Sequence, residues 1–398
     1  MNGAGRARPP IWLLVLITIS GTLAMHMFVP ALPDAARALG VSSAAMQMTI
    51  SVYILGLAGG QLVYGPLSDA LGRRPMLLTG LLLYTVGGTA AMLVSGIHAL
   101  VAARLFQALG GCAGLALGRA IVRDTAPPDE AVRALALLNL MMMIGPGLAP
   151  LLGSGLVALS GWRTVFVLLA AMGAVTLFFT WRLIPETGKP SGRISVAALA
   201  RDYGALLRSP SYLGFALGGG CATTSIYAFI AAAPFIVTAQ LHRPLHEVGI
   251  DLALLIVGMS IGNALTRRLV LVVRVERLLL FGNALSVLSA AALLAMALFG
   301  RLDVAGTIGL MFLYALGAGT CSPAALSRSL DVEAGLVGSA AGLYGCLQMA
   351  VGALCTFLAG LGGNPALASA GVMTAAALCG QAGFWVAIAS RRRTGRRA

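Results

Sequence analysis

The sequence predicts an all-α polytopic membrane protein with twelve transmembrane helices arranged in two pseudo-symmetric six-helix halves. Hydrophobic residues make up 59% of the 398 residues, charged residues make up 10%, and the mean hydropathy is +0.91. A soluble chain is about half apolar and about a quarter charged. Apolar runs of the roughly 20 residues that cross a bilayer recur along the whole chain. The longest polar stretch lies near the middle.

Breaks in the apolar runs set the bounds of each predicted helix. The twelve spans, numbered 1 to 12 in chain order, are 11–33, 44–66, 76–95, 98–120, 133–157, 163–184, 211–237, 248–266, 276–298, 303–327, 335–361 and 367–390. They use most of the chain, so the loops are short and no sizeable soluble domain is expected.

Positive charge is distributed by side of the membrane. The chain carries 27 Lys and Arg against 13 Asp and Glu, a formal net charge of +14. Most of the basic residues lie in the two tails and in alternate loops, as the positive-inside rule requires of cytoplasmic segments. Both termini are therefore predicted to be cytoplasmic. A nucleic-acid partner is not expected, because no soluble module gathers basic residues with aromatic residues between them.

The polar stretch in the middle of the chain predicts a linker between two halves. We predict an N-terminal half over 1–184, a cytoplasmic linker over 185–210, and a C-terminal half over 211–398 with a basic tail. Within the linker, 195–207 has the pattern of a short amphipathic helix lying at the membrane interface.

The two halves show faint self-similarity. Ala108-Leu109-Gly110 in span 4 matches Ala315-Leu316-Gly317 in span 10. Internal repeats around a central site are typical of alternating-access carriers. Chance similarity between Gly/Ala-rich helices is the alternative explanation.

Several kinds of active site are unsupported by the sequence. The six cysteines lie in apolar spans without CxxC spacing, so neither a disulfide framework nor a metal site is expected. The chain contains no HExxH or GxSxG motif, and Glu186-Thr187-Gly188-Lys189 lacks the flanking residues of a phosphate-binding loop. A channel would need a symmetric lined pore, which the pattern does not indicate. We therefore predict that the protein is neither an enzyme nor a channel.

The loop after span 2 carries the most specific motif, Gly65-Pro66-Leu67-Ser68-Asp69-Ala70-Leu71-Gly72-Arg73-Arg74-Pro75. It resembles the signature loop of the major facilitator superfamily, G-x-L-[AS]-D-x-x-G-R-[RK], at every specified position. The resemblance implies the fold of that superfamily and a charge latch between the halves when the carrier faces outward. The residues assigned to this latch are Gly65, Asp69, Gly72, Arg73 and Arg74, with Arg123 and Asp124 at the inner end of span 4.

Other segments narrow the resemblance to the bicyclomycin/chloramphenicol-resistance (Bcr/CflA) group of drug:proton antiporters. The N-terminal half is similar through Val29-Pro30-Ala31-Leu32-Pro33, Arg104-Leu105-Phe106-Gln107-Ala108-Leu109-Gly110, Ile144-Gly145-Pro146-Gly147-Leu148-Ala149-Pro150-Leu151-Leu152-Gly153 and Gly161-Trp162-Arg163-Thr164-Val165-Phe166. The C-terminal half is similar more loosely, through Ala232-Ala233-Pro234-Phe235 and Ala340-Ala341-Gly342-Leu343-Tyr344-Gly345 with Gln348.

The resemblance implies a multidrug efflux transporter in a bacterial inner membrane. Small amphipathic compounds, including antibiotics, would leave by alternating access in exchange for protons, with no cofactor other than the proton as coupling ion. Such a site lies within one chain, so a monomer suffices. A dedicated metabolite uptake or exchange permease on the same fold is the alternative, because fold does not fix cargo or direction.

Span 5 carries the feature that favours export. Pro146 and Pro150 remove backbone donors and bend the helix. Close packing of a neighbour is predicted at Gly145, Gly147, Gly153 and Gly155. By the resemblance this is the antiporter motif, which seals the interface between the halves.

The candidate coupling residues are His26, Asp34, Arg104 and Gln107. An unpaired cation inside a span costs at least about 2.5–3.5 kcal/mol, so Arg104 should face a partner or a wet cavity. By the resemblance this arginine helps to couple proton and cargo; the alternative is a snorkelling or structural arginine near the outer end of span 4. Related sequences carry an Asp where this chain has His26. Histidine titrates near neutral pH and is itself a candidate proton carrier. The alternatives are a structural His26 with coupling through Asp34, or no coupling at this position.

No carboxylate is predicted at mid-membrane, so His26 and Arg104 together favour neutral or anionic cargo over cationic drugs. Aromatic, methionine and amide side chains suit an adaptable pocket, although helix packing explains each of them equally well. The cavity candidates are Tyr53, Asn139, Met142, Tyr227, Phe229, Tyr344 and Gln348.

Overall fold

The computed structural model describes residues 9–188, 190, 192, 196–331 and 336–394. Twelve helices in this part of the chain are long and apolar enough to cross a membrane, which confirms the predicted fold class. Spans 1 to 12 are Ile11–Leu39, Ser43–Leu71, Arg73–Leu93, Ile97–Thr125, Arg133–Ser160, Arg163–Leu183, Pro210–Gln240, Leu245–Leu269, Val275–Leu298, Val304–Ser329, Val337–Gly360 and Pro365–Arg391.

Local sequence signals start several of these helices. Ser42, Ser209 and Asp303 each accept a hydrogen bond from a backbone N–H three residues later, which satisfies one of the free donors of the first turn. Prolines lie in the first turn of the helices that begin at Pro128 and Pro210, where their missing N–H breaks no intrahelical bond.

The sequence predicted that span 1 ends at Pro33, but the helical segment continues beyond it. After one 3₁₀ turn at Val29–Ala31 the chain resumes as a helix over Leu32–Leu39 and stops at Gly40, whose φ is 64°. Pro33 lies in the first turn of this second segment, where it fits without loss of a hydrogen bond. Asp34 therefore lies in a helix.

The predicted loop after span 2 is almost entirely helical. Span 2 continues through Pro66 to Leu71, and span 3 begins at Arg73. Only Gly72 makes the turn, with φ 104° and its N–H bonded to the Ser68 carbonyl at 3.0 Å. Proline removes a single backbone donor, whereas a positive φ stops the helix outright.

The self-similar segments occupy equivalent places in the two halves. A Cβ on Gly110 of span 4 would overlap the Gly80 carbonyl of span 3, and a Cβ on Gly317 of span 10 would overlap the Gly282 carbonyl of span 9. Spans 3 and 9 are counterparts, since each is third in its half. The repeat is therefore structural and not a chance likeness of Gly/Ala-rich helices.

The halves meet along spans 2 and 11 and along spans 5 and 8. At one end of the first pair, Gly345 of span 11 packs against the side chain of Gln61. At the other end, a Cβ on Gly360 would lie 3.5 Å from the Cβ of Gln47. Spans 2 and 11 are thus packed along their length, and the two halves are closed against each other.

The linker contains the predicted short helix, Val196–Leu207. It packs against the start of span 11, where Asp202 accepts a hydrogen bond from Ser339 at 3.2 Å, and Leu206 is buried. The linker helix therefore touches the C-terminal half, and its position at the membrane interface stays a prediction.

Candidate functional site

Arg104 is completely buried among aromatic rings of the N-terminal half. Its guanidinium carbon lies 3.8 Å from the ring centre of Tyr53, 5.2 Å from Phe28 and 5.8 Å from Phe166. A cation over the face of an aromatic ring is attracted by the ring quadrupole, more strongly when both are desolvated. Three spans thus surround the most costly side chain of the chain.

Of the guanidinium nitrogens of Arg104, only Nη1 makes hydrogen bonds to the described residues. Nη1 donates to Gln107 Oε1 at 2.7 Å and to the Ala24 carbonyl at 3.3 Å. Nε and Nη2, and also Gln107 Nε2 and the Tyr84 hydroxyl, are buried without a hydrogen-bond partner among the described residues. No carboxylate of the described chain lies within ion-pair distance of Arg104. The site is therefore rich in donors and poor in acceptors.

His26 lies two residues beyond the carbonyl that binds Arg104, at the surface between the halves. Its side chain is 4% exposed, and its ring centre is 6.1 Å from that of Tyr227 in span 7. Nδ1 is 2.9 Å from the Thr22 carbonyl. Because a carbonyl only accepts, Nδ1 carries the proton in the neutral ring and Nε2 is left as the basic atom.

Asp34 stands apart from this cluster. It lies eight residues beyond His26 along span 1, about 12 Å at the helical rise, and forms an ion pair with Arg37. Asp34 and Arg37 both line a cavity of 490 Å³ between the halves. The other wall of this cavity includes Phe235, Thr238 and Leu245. The structure therefore brings Arg104 and Gln107 together. It places His26 on the same segment of span 1 but against Tyr227, and it places Asp34 nearer one membrane face.

The signature turn is held by charges of the N-terminal half and by Glu186 at the start of the linker. Arg73 pairs with Asp69 at 2.7 Å and with Asp124 at 3.2 Å. The carboxylate of Glu186 accepts hydrogen bonds from the backbone N–H groups of Arg73 at 2.9 Å and Arg74 at 3.2 Å. Glu186 thus caps span 3, which no side chain next to the turn does.

The remaining latch candidates have more open surroundings. Arg74 donates to the Trp181 carbonyl at 2.8 Å. Arg123 is exposed, and a Cβ on Gly65 would meet no atom within 4 Å. A contact from these residues to the C-terminal half in an outward-facing state stays a prediction.

The antiporter-motif residues of span 5 are buried where the helix packs on its neighbours. The helix over Pro128–Ser160 runs through both Pro146 and Pro150, which are buried. A Cβ on Gly153 would overlap the Met27 carbonyl of span 1, and Gly145 faces Ile19 of span 1 at 3.8 Å.

The opposite side of span 5 packs on the C-terminal half. A Cβ on Gly249 of span 8 would lie 2.6 Å from Ser154 Oγ and 2.9 Å from the Pro150 carbonyl. Span 5 therefore joins span 1 to span 8 at close range, with His26 one residue from the Met27 contact.

The cavity candidates fall into distinct surroundings. Tyr53 is buried and donates to the Gly21 carbonyl at 2.7 Å, so it packs spans 1 and 2 together. Gln348 Nε2 donates to Thr223 Oγ1 at 2.8 Å. Tyr227 and Met142 are half-buried, Phe229 and Tyr344 are buried, and Asn139 is exposed.

A comparison with known proteins identifies the family. The model of the Major Facilitator Superfamily matches residues 14–356. The chain belongs to the major facilitator superfamily. This family and this fold are those of transporters and not of enzymes, so the protein is a multi-pass membrane transporter of small molecules.

Relatives place this facilitator-superfamily transporter near drug carriers. It is 28% identical over 343 residues, 85% of this chain and 84% of the relative, to the multidrug transporter MdfA of Yersinia pestis bv. Antiqua (strain Angola). It is 27% identical over 346 residues, 86% of each chain, to a bicyclomycin resistance protein homolog of Haemophilus influenzae (strain ATCC 51907 / DSM 11121 / KW20 / Rd). These similarities confirm the resemblance to the drug:proton antiporter family.

A solved structure agrees with the fold. A bacterial homolog of the human lysosomal transporter Spinster, in an inward-facing and occupied conformation, superposes with a TM-score of 0.71 at 14% identity, covering 96% of each chain.

Sequence reasoning missed two contributors to the facilitator-superfamily site. Glu186 was assigned only to the linker, because its partners are more than a hundred residues away in sequence. Tyr84 gave no signal, since a tyrosine in an apolar span is most simply a packing residue. Among the described residues, no group of three or more His, Cys, Asp or Glu side chains is placed to hold a metal ion.

Proposed function

We propose that this transporter exports small amphipathic compounds in exchange for protons, and that His26 carries the proton. The supporting observation is the arrangement around span 1. The neutral imidazole of His26 lies between the halves next to Tyr227, and Arg104 is bound to the Ala24 carbonyl on the same helix. Multidrug export is the function named for the MdfA relative.

Exchange follows from the electrostatics of this arrangement. Protonation of Nε2 would place a cation against Tyr227, in a surface from which water is excluded while the halves are closed. A buried charge without a partner is strongly disfavoured. The protonated state therefore favours separated halves, and loss of the proton favours closed halves. Proton binding and release are then tied to opposite conformations, as alternating access requires.

The donor-rich site also suggests the charge of the cargo. Arg104, Gln107 and Tyr84 offer hydrogen-bond donors, and no carboxylate of the described chain balances them. A neutral or anionic compound with acceptor groups would satisfy these donors, whereas a cationic compound would be repelled by Arg104. We place the transporter in the inner membrane of a bacterium, with both chain termini on the cytoplasmic side. The distribution of arginines supports this orientation.

The test uses proteoliposomes or inverted vesicles with a pH-sensitive dye, to which amphenicols, sulfonamides and other candidate drugs are added. We expect drug-evoked proton movement in the wild type and at least about a tenfold reduction in His26→Ala, because a bound proton no longer changes the charge between the halves. His98→Ala is the matched control, since His98 is exposed at the start of span 4.

Two other results would redirect the assignment. Undiminished proton movement in His26→Ala would preserve antiport and move the proton to Asp34 or to Asp251, a half-buried carboxylate in the second turn of span 8. If folded wild-type protein shows no response to any drug, the result would favour a dedicated metabolite permease on the same fold.

A further inference from the structure

A second cavity lies at the membrane face of the C-terminal half, far from the site described above. It has a volume of 640 Å³ and is lined by the ends of spans 8, 10 and 12 and by the starts of spans 7 and 9. Four arginines, Arg274, Arg277, Arg328 and Arg391, line it together with one acidic residue, Glu276. Its charge is therefore strongly positive.

Internal ion pairs neutralise only part of this charge. Arg328 pairs with Glu276 at 2.6 Å, and Arg391 pairs with Asp331 at 2.6 Å. Arg274 and Arg277 are exposed and have no ion-pair partner among the described residues. The Nε atom of Arg328 is buried and has no hydrogen-bond partner in the described chain. Within the described part of the chain, the cavity thus holds two unneutralised cations and one unused buried donor.

The counterpart of this cavity in the N-terminal half is filled by an acidic side chain. There Glu186, just after span 6, accepts hydrogen bonds from the first N–H groups of span 3. Span 9 is the counterpart of span 3, and its start at Val275 has no side-chain cap. An anion supplied from outside would satisfy in the C-terminal half what Glu186 satisfies in the N-terminal half.

The surroundings of the cavity identify the source of that anion. The turn between spans 8 and 9 is apolar and strongly exposed, with Val270 44%, Leu271 83% and Val272 80% exposed. Trp385 on the cavity rim is 57% exposed. Apolar residues in this position belong in the lipid interface, and tryptophan is enriched at headgroup level. The cavity therefore opens at the depth of lipid phosphates.

We propose that this cavity binds the phosphodiester headgroup of an anionic glycerophospholipid. Arg274 and Arg277 would pair with the phosphate, and the Arg328 Nε donor would face it. Basic pockets between transmembrane helices are the common form of such sites. The lipid site does not depend on cargo or on proton coupling. Failure of this proposal would therefore leave the proposed function unaffected, and failure of the proposed function would leave the lipid site unaffected.

Quenching of tryptophan fluorescence by brominated acyl chains tests the site directly. The probe protein keeps Trp385 and has Trp12, Trp162 and Trp181 replaced by phenylalanine. We compare brominated phosphatidylglycerol with brominated phosphatidylcholine, and we expect the anionic lipid to be preferred next to Trp385. Each arginine near an anionic headgroup contributes about fivefold in association. Arg274→Gln with Arg277→Gln should therefore lower the preference by at least about fivefold.

The control variant is Arg267→Gln with Arg268→Gln. These two arginines are exposed at the end of span 8 but do not line the cavity. A specific site predicts that the preference at Trp385 survives in this variant. An equal loss in both double variants would show general surface attraction and overturn the proposal. A protein that keeps only Trp181, 54% exposed in the other half, should show no preference.

A soluble-anion arm separates the two sources of phosphate. Inorganic phosphate at millimolar concentration should leave the lipid preference unchanged, because it lacks acyl chains that bind beside the apolar rim. Reversal of the preference by inorganic phosphate would overturn the lipid assignment. Each variant is first checked for a monodisperse elution profile, so the fluorescence result is read on folded protein.

Discussion

At the residue scale, Arg104 constrains the mechanism more than any other side chain. The guanidinium is removed from lipid by three aromatic rings, and one of its nitrogens is fixed by Gln107 and by the Ala24 carbonyl. Such fixation keeps the charge in place while the halves move. A bidentate carboxylate would hold the guanidinium more tightly but would neutralise its charge.

Gly153 gives a prediction at this scale. A Cβ at this position would overlap the Met27 carbonyl, next to His26, so Gly153→Ala must push span 5 away from span 1. Overpacking of this kind costs about 1–3 kcal/mol. We expect a lower unfolding temperature in detergent and reduced drug-evoked proton movement.

Gly155, two residues away, provides the matched control. The sequence pattern predicted close packing for Gly155 as well, but this prediction was wrong, because Gly155 is exposed and a Cβ there meets no atom within 4 Å. Gly155→Ala should leave the unfolding temperature unchanged or slightly raised, since alanine favours a helix by about 1 kcal/mol over glycine. Equal losses in both variants would mean that helix flexibility, and not the Met27 contact, is what matters.

At the element scale, the start of span 3 depends on a residue from another part of the chain. Gly72 reverses the chain within one residue, so no neighbouring side chain is placed to cap the first turn. Glu186 arrives from the end of span 6 and accepts from the N–H groups of Arg73, Arg74 and Gly188. The tight signature turn and the acidic residue after span 6 therefore form one structural unit.

Glu186→Gln tests this unit. A neutral amide keeps the shape but loses the charge that interacts with three backbone donors and the helix dipole, so we expect destabilisation of about 1–2 kcal/mol. Thermal unfolding in detergent measures the effect. Asp69→Asn is the control, because Asp69 is 65% exposed and an exposed ion pair contributes only about 0–1 kcal/mol. A larger loss of stability in Asp69→Asn than in Glu186→Gln would show that Asp69, and not Glu186, holds the turn.

The helices could be predicted from sequence more fully than the contacts between them. Apolar runs report which segments lie in lipid, and twelve of them were correctly found. The runs do not report polar helix ends, so Leu39 and Leu71 lie well beyond the predicted ends of spans 1 and 2. Arg104 and His26 were detectable because their residue types are costly or unusual in a span. The partners of Glu186 and the unused donor of Tyr84 depend on distances in space, which one sequence does not contain.

At the scale of the whole molecule, the halves must separate for cargo to pass. In this structure they are closed along spans 2 and 11, and Gln47 and Gly360 meet at one membrane face. That face is where Asp34 and its cavity lie, the side opposite the signature turn. Rocking about the closed surface would open this face, and a covalent link across it would prevent the motion.

A pair of cysteines makes this link. At Gln47 and Gly360 the Cβ atoms would lie 3.5 Å apart, within the range of about 3.5–4.5 Å for disulfides. In a protein without its six native cysteines, we expect oxidation of Gln47→Cys with Gly360→Cys to abolish transport and reduction to restore it. Gly220→Cys with Val351→Cys, at 3.4 Å, links span 11 to span 7 within one half. Its oxidation should leave transport unchanged. Transport that persists after complete cross-linking of the first pair would show that this face need not open.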